Sequence, residues 1–416
     1  MKSVERYLER NTLYDSLISK EANKDLKVIV TIPAYNEPDI LECLNSYLKC
    51  DSIDGSVEVI VLINSSESES DKTILEINEQ SYKSIKSWIA TVNSSFITFH
   101  VLHINNLPSK NAGVGLARKI CMDEALRRFV SIENYDGIIV GYDADTICET
   151  NYFTSIESYF SDKRKNGASI YFEHPIEGNE YTEMVYLASA YYELYLRYYN
   201  MLLRYLNHPH AYHCIGSAFA VRASVYAAQG GMNKKQAGED FYFIQKIIAI
   251  GNFGYINTTC LHPSSRISER TPFGTGRSIN EMINSSSIDY LTFAFDSILP
   301  LKEIFNDIDK FYKETLVIDK FSEPLKSYLL EINFIESLKQ INSNCSSLET
   351  FRMKFYMYFN IFKILKYLNF VSRTIYPKSS VIEESYKLLK ILSEKVKDKS
   401  VFTLLDRYRD LDRLMK

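Results

Sequence analysis

The sequence has little of several features that would place it in a specialised class of protein. Its 416 residues include one Trp and seven scattered Cys, with no Cys-x-x-Cys pair. A disulfide framework and a zinc knuckle are therefore disfavoured, and reduced thiols are expected. No apolar run is long enough to span a bilayer, and residues 1–6 lack the apolar core of a signal peptide. These absences predict a cytoplasmic protein without a transmembrane segment.

Excess charge of either sign is also lacking. The formal net charge is −4, from 48 Lys and Arg against 52 Asp and Glu. A nucleic-acid partner is bound mainly through its phosphates and needs a basic surface, so no nucleic-acid partner is expected. What remains is an ordinary globular composition, 46% apolar and 24% charged. The chain is longer than one domain core usually covers, which favours two domains.

The first part of the chain alternates strand-like and helix-like segments. Apolar, β-branched strands are predicted at residues 27–32, 57–63 and 97–102 and directly before Asp143. Helices are predicted between them, from Pro38, over 71–90 and over 112–129. Such alternation is typical of an α/β fold with a mostly parallel sheet covered by helices.

Three regions are predicted along the chain. Residues 1–25 have the apolar spacing of an amphipathic helix, residues 26–280 contain the strand and helix alternation, and residues 281–416 are almost wholly helical in pattern. The middle region includes a long Tyr-rich helix at 181–205. The C-terminal helical region contains no motif that indicates a chemical role, and we predict that it holds no catalytic group.

Two carboxylates follow the fourth strand, at Asp143 and Asp145. In an extended backbone residues two apart point to the same side, and ligands bind at the carboxyl ends of strands in open α/β sheets. Two such acids suit a hard divalent cation that also binds a substrate phosphate. The alternative is a solvated turn, because Asp is common where strands end.

The first strand ends in Pro33-Ala34-Tyr35-Asn36-Glu37. This stretch resembles the nucleotide-binding opening of family-2 glycosyltransferases, which have the Rossmann-like GT-A fold. The resemblance implies that Pro33, Ala34, Tyr35 and Glu37 cradle the nucleotide of a nucleotide sugar. The alternative is a Pro-bounded turn before a helix, with Glu37 favouring the positive helix start.

The same resemblance assigns roles to later residues. Asn64 ends the second strand, where the family commonly has an Asp that reads the base, and a UDP-linked sugar is the first choice of donor. Lys110 opens a stretch with glycines and cations that is a candidate phosphate or sugar contact; it lacks the Gly-Lys-Ser/Thr ending of a Walker loop. Asp143 and Asp145 match the Asp-x-Asp (DXD) motif, which implies Mn²⁺ or Mg²⁺ bound to both acids and the diphosphate.

Glu239 and Asp240 resemble the Glu-Asp motif near the acceptor site of that family. Transfer with inversion needs one base that takes the proton of the acceptor hydroxyl. By position the resemblance implies Asp240 as this base and Glu239 as the second candidate. The alternative is a capping acid at a helix start.

A segment rich in Gly, Pro and Ser, residues 262–277, contains three arginines. Arg266 and Arg270 are candidate contacts of the anionic diphosphate on a loop that closes over it. His262 lies at the end of a predicted strand, where some GT-A enzymes supply a third metal ligand. A lone His is more often structural, so both interpretations of His262 stay open.

Together these features predict a metal-dependent glycosyltransferase that moves a sugar from a nucleotide-diphosphate sugar to an unknown acceptor, with inversion and Asp240 as base. A retaining enzyme with His262 as metal ligand and a nucleotidyltransferase are the alternatives. A binding module that keeps the fold without turnover is a third, and the presence of Asp143, Asp145 and Asp240 argues against it.

Overall fold

The structure is a computed structural model, and it describes residues 2–236, 238–268, 270, 274–285, 288–314 and 316–415. The strands are β1 (Leu26–Ala34), β2 (Ser56–Ser66), β3 (Ile97–Leu107), β4 (Ile138–Gly141), β5 (Thr146–Cys148), β6 (Gly167–Phe172), β7 (Phe219–Arg222), β8 (Phe253–Pro263), β9 (Leu291–Thr292) and β10 (Ser379–Ser380).

The α-helices are α1 (Lys2–Asn11), α2 (Ile40–Tyr47), α3 (Lys72–Ile89), α4 (Val114–Ser131), α5 (Tyr152–Phe160), α6 (Glu183–Tyr205), α7 (Ala223–Ala228), α8 (Glu239–Ala249), α9 (Thr275–Ile283), α10 (Leu299–Phe305), α11 (Glu323–Glu331), α12 (Phe334–Ser343), α13 (Leu348–Tyr358), α14 (Ile361–Ser372), α15 (Val381–Ile391) and α16 (Val401–Arg413). Short 3₁₀ helices lie at Phe295–Ile298, Ile308–Phe311 and Ile318–Lys320.

The chain divides into two compact units. The first comprises Met1–Gly178, Cys214–Arg277 and Arg413–Lys416, and the second comprises Asn179–His213 and Ser278–Asp412. Residues 179–213, which lie inside the predicted 26–280 region, thus cluster with the C-terminal helices. The reason is α6, which packs against α15 within the second unit.

The first unit is built on one eight-stranded sheet with strand order β3-β2-β1-β4-β7-β6-β8-β5. The pairings β1–β2, β2–β3, β1–β4 and β6–β8 are parallel. Strand β7 is antiparallel to both β4 and β6, and β5 is antiparallel to β8. Helices α3 and α4 pack on the β1–β3 half. The α/β class with a mostly parallel sheet and the helical C-terminal region are confirmed.

Burial explains why β1, β2 and β4 are mostly apolar instead of alternating. All residues of β4 and nearly all of β1 and β2 are buried, as expected for parallel strands in the centre of a covered sheet. Thr31 is accommodated because its hydroxyl donates to the carbonyl of Val140 at 2.7 Å. Since β1 and β4 are parallel neighbours, the residues that follow Ala34 and Gly141 emerge at the same edge of the sheet.

The prediction of one helix over residues 1–25 is wrong in extent. Helix α1 ends at Asn11, and the chain from Thr12 onward runs without helical structure to β1. Two backbone groups of this segment are hydrogen-bonded to α4: the N–H groups of Leu17 and Ile18 donate to the carboxylate of Glu124 at 3.1 Å each. In the described residues, no helix has both the length and the apolar content that a bilayer crossing requires.

The second unit contains a buried network of charges that joins α6 to α16. Glu193, fully buried, accepts hydrogen bonds from Arg197 and Arg409 at 2.8 Å each, and Arg197 donates to Asp412 at 2.6 Å. The Nε2 of His213 lies 2.9 Å from the same Asp412 oxygen. Removing one member of such a network leaves the opposite charge buried without compensation.

We expect Arg197→Met to lower the free energy of unfolding by about 3–5 kcal/mol, the cost of breaking a buried ion pair. The matched control is Arg164→Met, whose pair with Asp162 is exposed to solvent and should contribute little to stability. Urea unfolding followed by circular dichroism measures both. Equal effects of the two substitutions would contradict a stabilising role of the buried network.

Candidate active site at the carboxyl edge of the sheet

The turn after β1 is held by a left-handed residue. Asn36 has φ 56°, a conformation that Asn adopts more readily than most residues, and its N–H donates to the side-chain oxygen of Asn78 at 2.9 Å. Tyr35, before it, donates its hydroxyl to Glu69 at 2.6 Å. The turn therefore has one fixed direction, and it delivers Glu37 to the edge of the sheet in a buried position.

Glu37 is surrounded by two arginines that come from more than 200 residues away. Both of its carboxylate oxygens accept from the Nη2 of Arg266 at 2.6 Å, and Arg270 donates to it as well. Burial raises the pKa of Glu37, the cation of Arg270 opposes this, and Asp145 raises it further. The positions of Arg266 and Arg270 thus offset the cost of a buried carboxylate.

Asp145 belongs to the same cluster. Its Oδ2 lies 2.8 Å from the Nη2 of Arg266 and 3.8 Å from the Nη2 of Arg270. Arg266 therefore bridges the acid after β1 and the second acid after β4. The structure brings together four residues that the sequence analysis selected, Glu37, Asp145, Arg266 and Arg270, into one group of two carboxylates and two guanidinium groups.

Asp143 has a different partner, the buried Arg118 of α4. The Nη2 of Arg118 lies 2.8 Å from Asp143, its Nε lies 3.2 Å from Glu239, and its Nη1 donates to the carbonyl of Gly216 at 2.9 Å. Burial acts to lower the pKa of Arg118, but Asp143 and Glu239 raise it above its ordinary value. Arg118 stays charged and links the acid after β4 to the acids at the start of α8.

Sequence reasoning missed Arg118 as a site residue, although Arg118 lies in the stretch of glycines and cations that Lys110 opens. A signal was available, because Arg118 sits between Leu116, Ala117, Ile120 and Cys121, which are all buried. A charged residue in the middle of an apolar helix face is rare unless it is paired.

Two glycines permit this close approach. A Cβ on Gly115 of α4 would lie 2.0 Å from the backbone oxygen of Lys235, and a Cβ on Gly216 would lie 2.7 Å from the Nη2 of Arg118. Any larger residue would separate α4 from the segment that leads into α8. Gly238 ends that segment in the left-handed conformation, with φ 69°, which glycine adopts without strain.

Asp240 follows Glu239 in the first turn of α8 and is half-buried. Burial, and then the neighbouring charge of Glu239, raise its pKa to about 7, while Arg118 opposes the shift. A carboxylate with a pKa near neutrality is a better proton acceptor than an ordinary aspartate and is still partly ionised at neutral pH. This pKa is compatible with the predicted role of Asp240 as a general base, which stays a prediction.

The acids also suit a cation. Asp143 and Asp145 offer carboxylate oxygens only, and both side chains reach solvent. Hard oxygen ligands match Mn²⁺ or Mg²⁺, so the donor set fits the predicted ion. One oxygen of Asp143 contacts Arg118, and one oxygen of Asp145 contacts Arg266. The second carboxylate oxygen of each aspartate takes no part in these two contacts and is the candidate ligand atom.

The other residues predicted to contact the nucleotide are not part of this group of acids and arginines. Pro33 and Ala34 are buried within β1. The side-chain amide of Asn64 donates to the carbonyl of Ala34 at 2.8 Å, which ties the ends of β1 and β2 together. Lys110 is exposed before α4 and makes none of the contacts described above. Their roles toward a nucleotide stay predictions.

His262 lies on β8, directly opposite Ile147 of β5. Its Nε2 lies 3.9 Å from Glu149 and its Nδ1 lies 3.3 Å from the carbonyl oxygen of Glu173. The contacts of His262 are thus with Glu149 and Glu173 and not with the arginine-bound acids. A role for His262 as a further ligand of an ion at Asp145 stays a prediction.

Comparison with known proteins gives matches among solved structures alone. No model of a protein family matches the chain, and no curated protein does. S. aureus TarS 1-349 in complex with UDP-GlcNAc is 14% identical, with a TM-score of 0.38 over 93% of this chain and 89% of that chain. GalNAc-T7 with UDP, GalNAc and Mn²⁺ is 13% identical, with a TM-score of 0.38 over 81% of this chain and 58% of that one. The function is therefore argued from the site itself.

The raised pKa of Asp240 predicts a pH-dependent effect of Asp240→Asn on stability. Because the folded-state pKa of about 7 exceeds the unfolded value of about 3.9, the wild-type protein loses stability as pH rises between these values. Asn carries no such loss. The melting temperature of Asp240→Asn minus that of the wild type should therefore be larger at about pH 8 than at about pH 5, by a few degrees. The same difference at both pH values would contradict the raised pKa.

Proposed function

We propose that this protein is a metal-dependent glycosyltransferase that moves a sugar from a nucleotide-diphosphate sugar, UDP-linked in the first instance, to an acceptor hydroxyl with inversion. The observation that carries the proposal is the buried Arg118, which joins Asp143 to Glu239 at the start of α8, where the pKa of Asp240 is about 7. A candidate metal acid and a candidate base are thereby held in one rigid arrangement.

The arginine pair supports a diphosphate-binding role. Arg266 and Arg270 neutralise Glu37 and Asp145, and a guanidinium group binds phosphate oxygens as well as carboxylate oxygens. When a diphosphate enters, its negative charges replace the carboxylate of Asp145 as a partner of these arginines. Asp145 is then released for the cation, and the charge balance of the cluster is preserved.

The cation, held by Asp143 and Asp145, would stabilise the negative charge of the departing nucleoside diphosphate. Asp240 accepts the proton of the acceptor hydroxyl while the acceptor oxygen forms a bond to the anomeric carbon. The bond from that carbon to the diphosphate oxygen breaks in the same step. Attack from the face opposite the leaving group inverts the anomeric configuration.

The arrangement favours this reaction over the transfer of a nucleotidyl group. A nucleotidyltransferase must hold the triphosphate of its donor, commonly with a Gly-rich loop after a strand. Here β1 is followed by a turn with a buried carboxylate, Glu37, and its arginine partners. A buried acid at this place suits hydroxyl and guanidinium partners better than a triphosphate.

Binding of UDP should depend on Mn²⁺ and on Asp145. With Asp145→Asn we expect the affinity gained on adding Mn²⁺ to fall about tenfold or more, since one metal ligand loses its charge. Isothermal titration calorimetry of UDP with and without Mn²⁺ measures this. The matched control is Asp136→Asn, an exposed aspartate whose partner is Lys163, which should behave as the wild type.

Equal UDP affinity of the wild type and Asp145→Asn, with and without Mn²⁺, would remove the metal from the proposal. Binding of other nucleoside diphosphates in preference to UDP would change the base and leave the rest of the proposal in place. A screen of nucleotide sugars by thermal shift then identifies the donor, because a bound ligand raises the melting temperature.

Asp240→Asn should keep UDP and Mn²⁺ affinity and lose turnover. We expect the rate of sugar transfer or of donor hydrolysis to fall by roughly two or more powers of ten, the usual effect of losing a general base. In the wild type the rate should rise with pH with a midpoint at about pH 7, where half of the Asp240 side chains are ionised. Glu239→Gln should move this midpoint to lower pH, because Glu239 raises the pKa of Asp240.

A near-normal rate with Asp240→Asn would exclude Asp240 as the base. A product that retains the donor configuration would replace the inverting mechanism with a retaining one. In that case His262→Gln is the next variant to test for loss of Mn²⁺-dependent UDP binding.

A further inference from the structure

A second group of metal-type ligands lies at the outer edge of the sheet, on β5 and β8. These strands are antiparallel, with Cys148 opposite Leu261 and Ile147 opposite His262. The N–H of Glu149 donates to the carbonyl of Cys260 at 3.2 Å, so the ladder continues by one residue beyond β5. Because side chains alternate along a strand, Glu149, Cys260 and His262 fall on the same face.

The ligand atoms of these three side chains are close together. One carboxylate oxygen of Glu149, the thiol sulfur of Cys260 and one ring nitrogen of His262 all lie within 4.8 Å of one another. In the ranges that the structure describes, this is the one group of three or more such side chains that meets this distance. Glu149 is exposed, Cys260 is buried and His262 is between the two.

The hydrogen bond of His262 orients the ring for a metal. Its Nδ1 lies 3.3 Å from the carbonyl oxygen of Glu173, and a carbonyl only accepts, so Nδ1 carries the proton. In the neutral ring, Nε2 is then unprotonated, and it lies 3.9 Å from an oxygen of Glu149. In a metal-bound histidine, the ring nitrogen that does not bind the metal commonly donates a hydrogen bond to a carbonyl, which fixes the orientation of the ring.

We propose that Glu149, Cys260 and His262 bind one Zn²⁺ ion, with water as the fourth ligand. A thiolate, an imidazole and a carboxylate together match Zn²⁺ better than Mg²⁺ or Mn²⁺, which prefer oxygen ligands. On binding, the S–H bond of Cys260 breaks, the sulfur keeps the electron pair and bonds the ion, and the proton leaves to solvent. The exposed Glu149 side provides access for the ion and for its water.

The ligands of this site differ in type from the acids of the proposed active site. Asp145 lies before β5, is bound by Arg266 and offers oxygen ligands alone, whereas the edge site includes sulfur and nitrogen. An ion there would cross-link β5 to β8 next to Asp145. The inference does not rest on the proposed function, and it holds whether or not the protein transfers a sugar.

The test uses the full-length protein after treatment with a chelator. Titration with Zn²⁺ in a calorimeter should give one ion per chain, and Co²⁺ should give a thiolate-to-metal charge-transfer absorption in the near ultraviolet. His262→Gln and Glu149→Gln should weaken Zn²⁺ binding by about tenfold or more, and Cys260→Ser should also abolish the Co²⁺ absorption. Zn²⁺ should raise the melting temperature of the wild type and not of His262→Gln.

Two controls separate this site from others. Cys345→Ser removes a buried thiol of the second unit, and Asp145→Asn alters the proposed Mn²⁺ site; both should bind Zn²⁺ as the wild type does. Unchanged Zn²⁺ affinity in Glu149→Gln and His262→Gln would overturn the proposal. Loss of the binding in Asp145→Asn would assign the ion to the active-site acids and overturn it as well. Because Glu149 is exposed, its variant tests the site even if Cys260→Ser does not fold.

Discussion

The buried guanidinium group of Arg118 is the interaction on which the arrangement of the site depends. Removing a charge from water is costly unless each of its donors finds a partner. Asp143, Glu239 and the carbonyl of Gly216 together supply those partners. The planar, rigid geometry of arginine then fixes the strand-end acid and the helix-start acid relative to each other, which a flexible lysine would not do.

A similar balance of charge governs the other half of the edge. Glu37 and Asp145 are neutralised by Arg266 and Arg270. Asp240 is the exception, because burial and Glu239 raise its pKa to about 7. A carboxylate that is destabilised in its ionised form lowers the stability of the fold, and pKa values shifted in this way are concentrated at functional sites.

The sheet places two different sets of ligands on neighbouring stretches of chain. The acids after β4 offer oxygen atoms, whereas the edge formed by β5 and β8 offers sulfur, nitrogen and oxygen. Hard and borderline cations are distinguished by such differences in ligand type. Strand β5 lies directly between Asp145 and Glu149 in the chain. A shift of β5 would therefore also move Asp145.

The sequence by itself determined the local elements and the residues at the strand ends. The apolar runs of β1, β2 and β4 and the acids after β4 can each be predicted from a short stretch of consecutive residues, because strand burial and strand termination leave local patterns in the sequence. Only the tertiary structure decided which charges meet: Arg118 with Asp143, Arg266 with Glu37, and Glu149 with Cys260 and His262. The end of α1 at Asn11 and the grouping of α6 with the C-terminal helices are likewise seen only in the tertiary structure. These outcomes depend on strand order and on partners that lie from 25 to 229 residues apart, and no local pattern of residues encodes which of them meet.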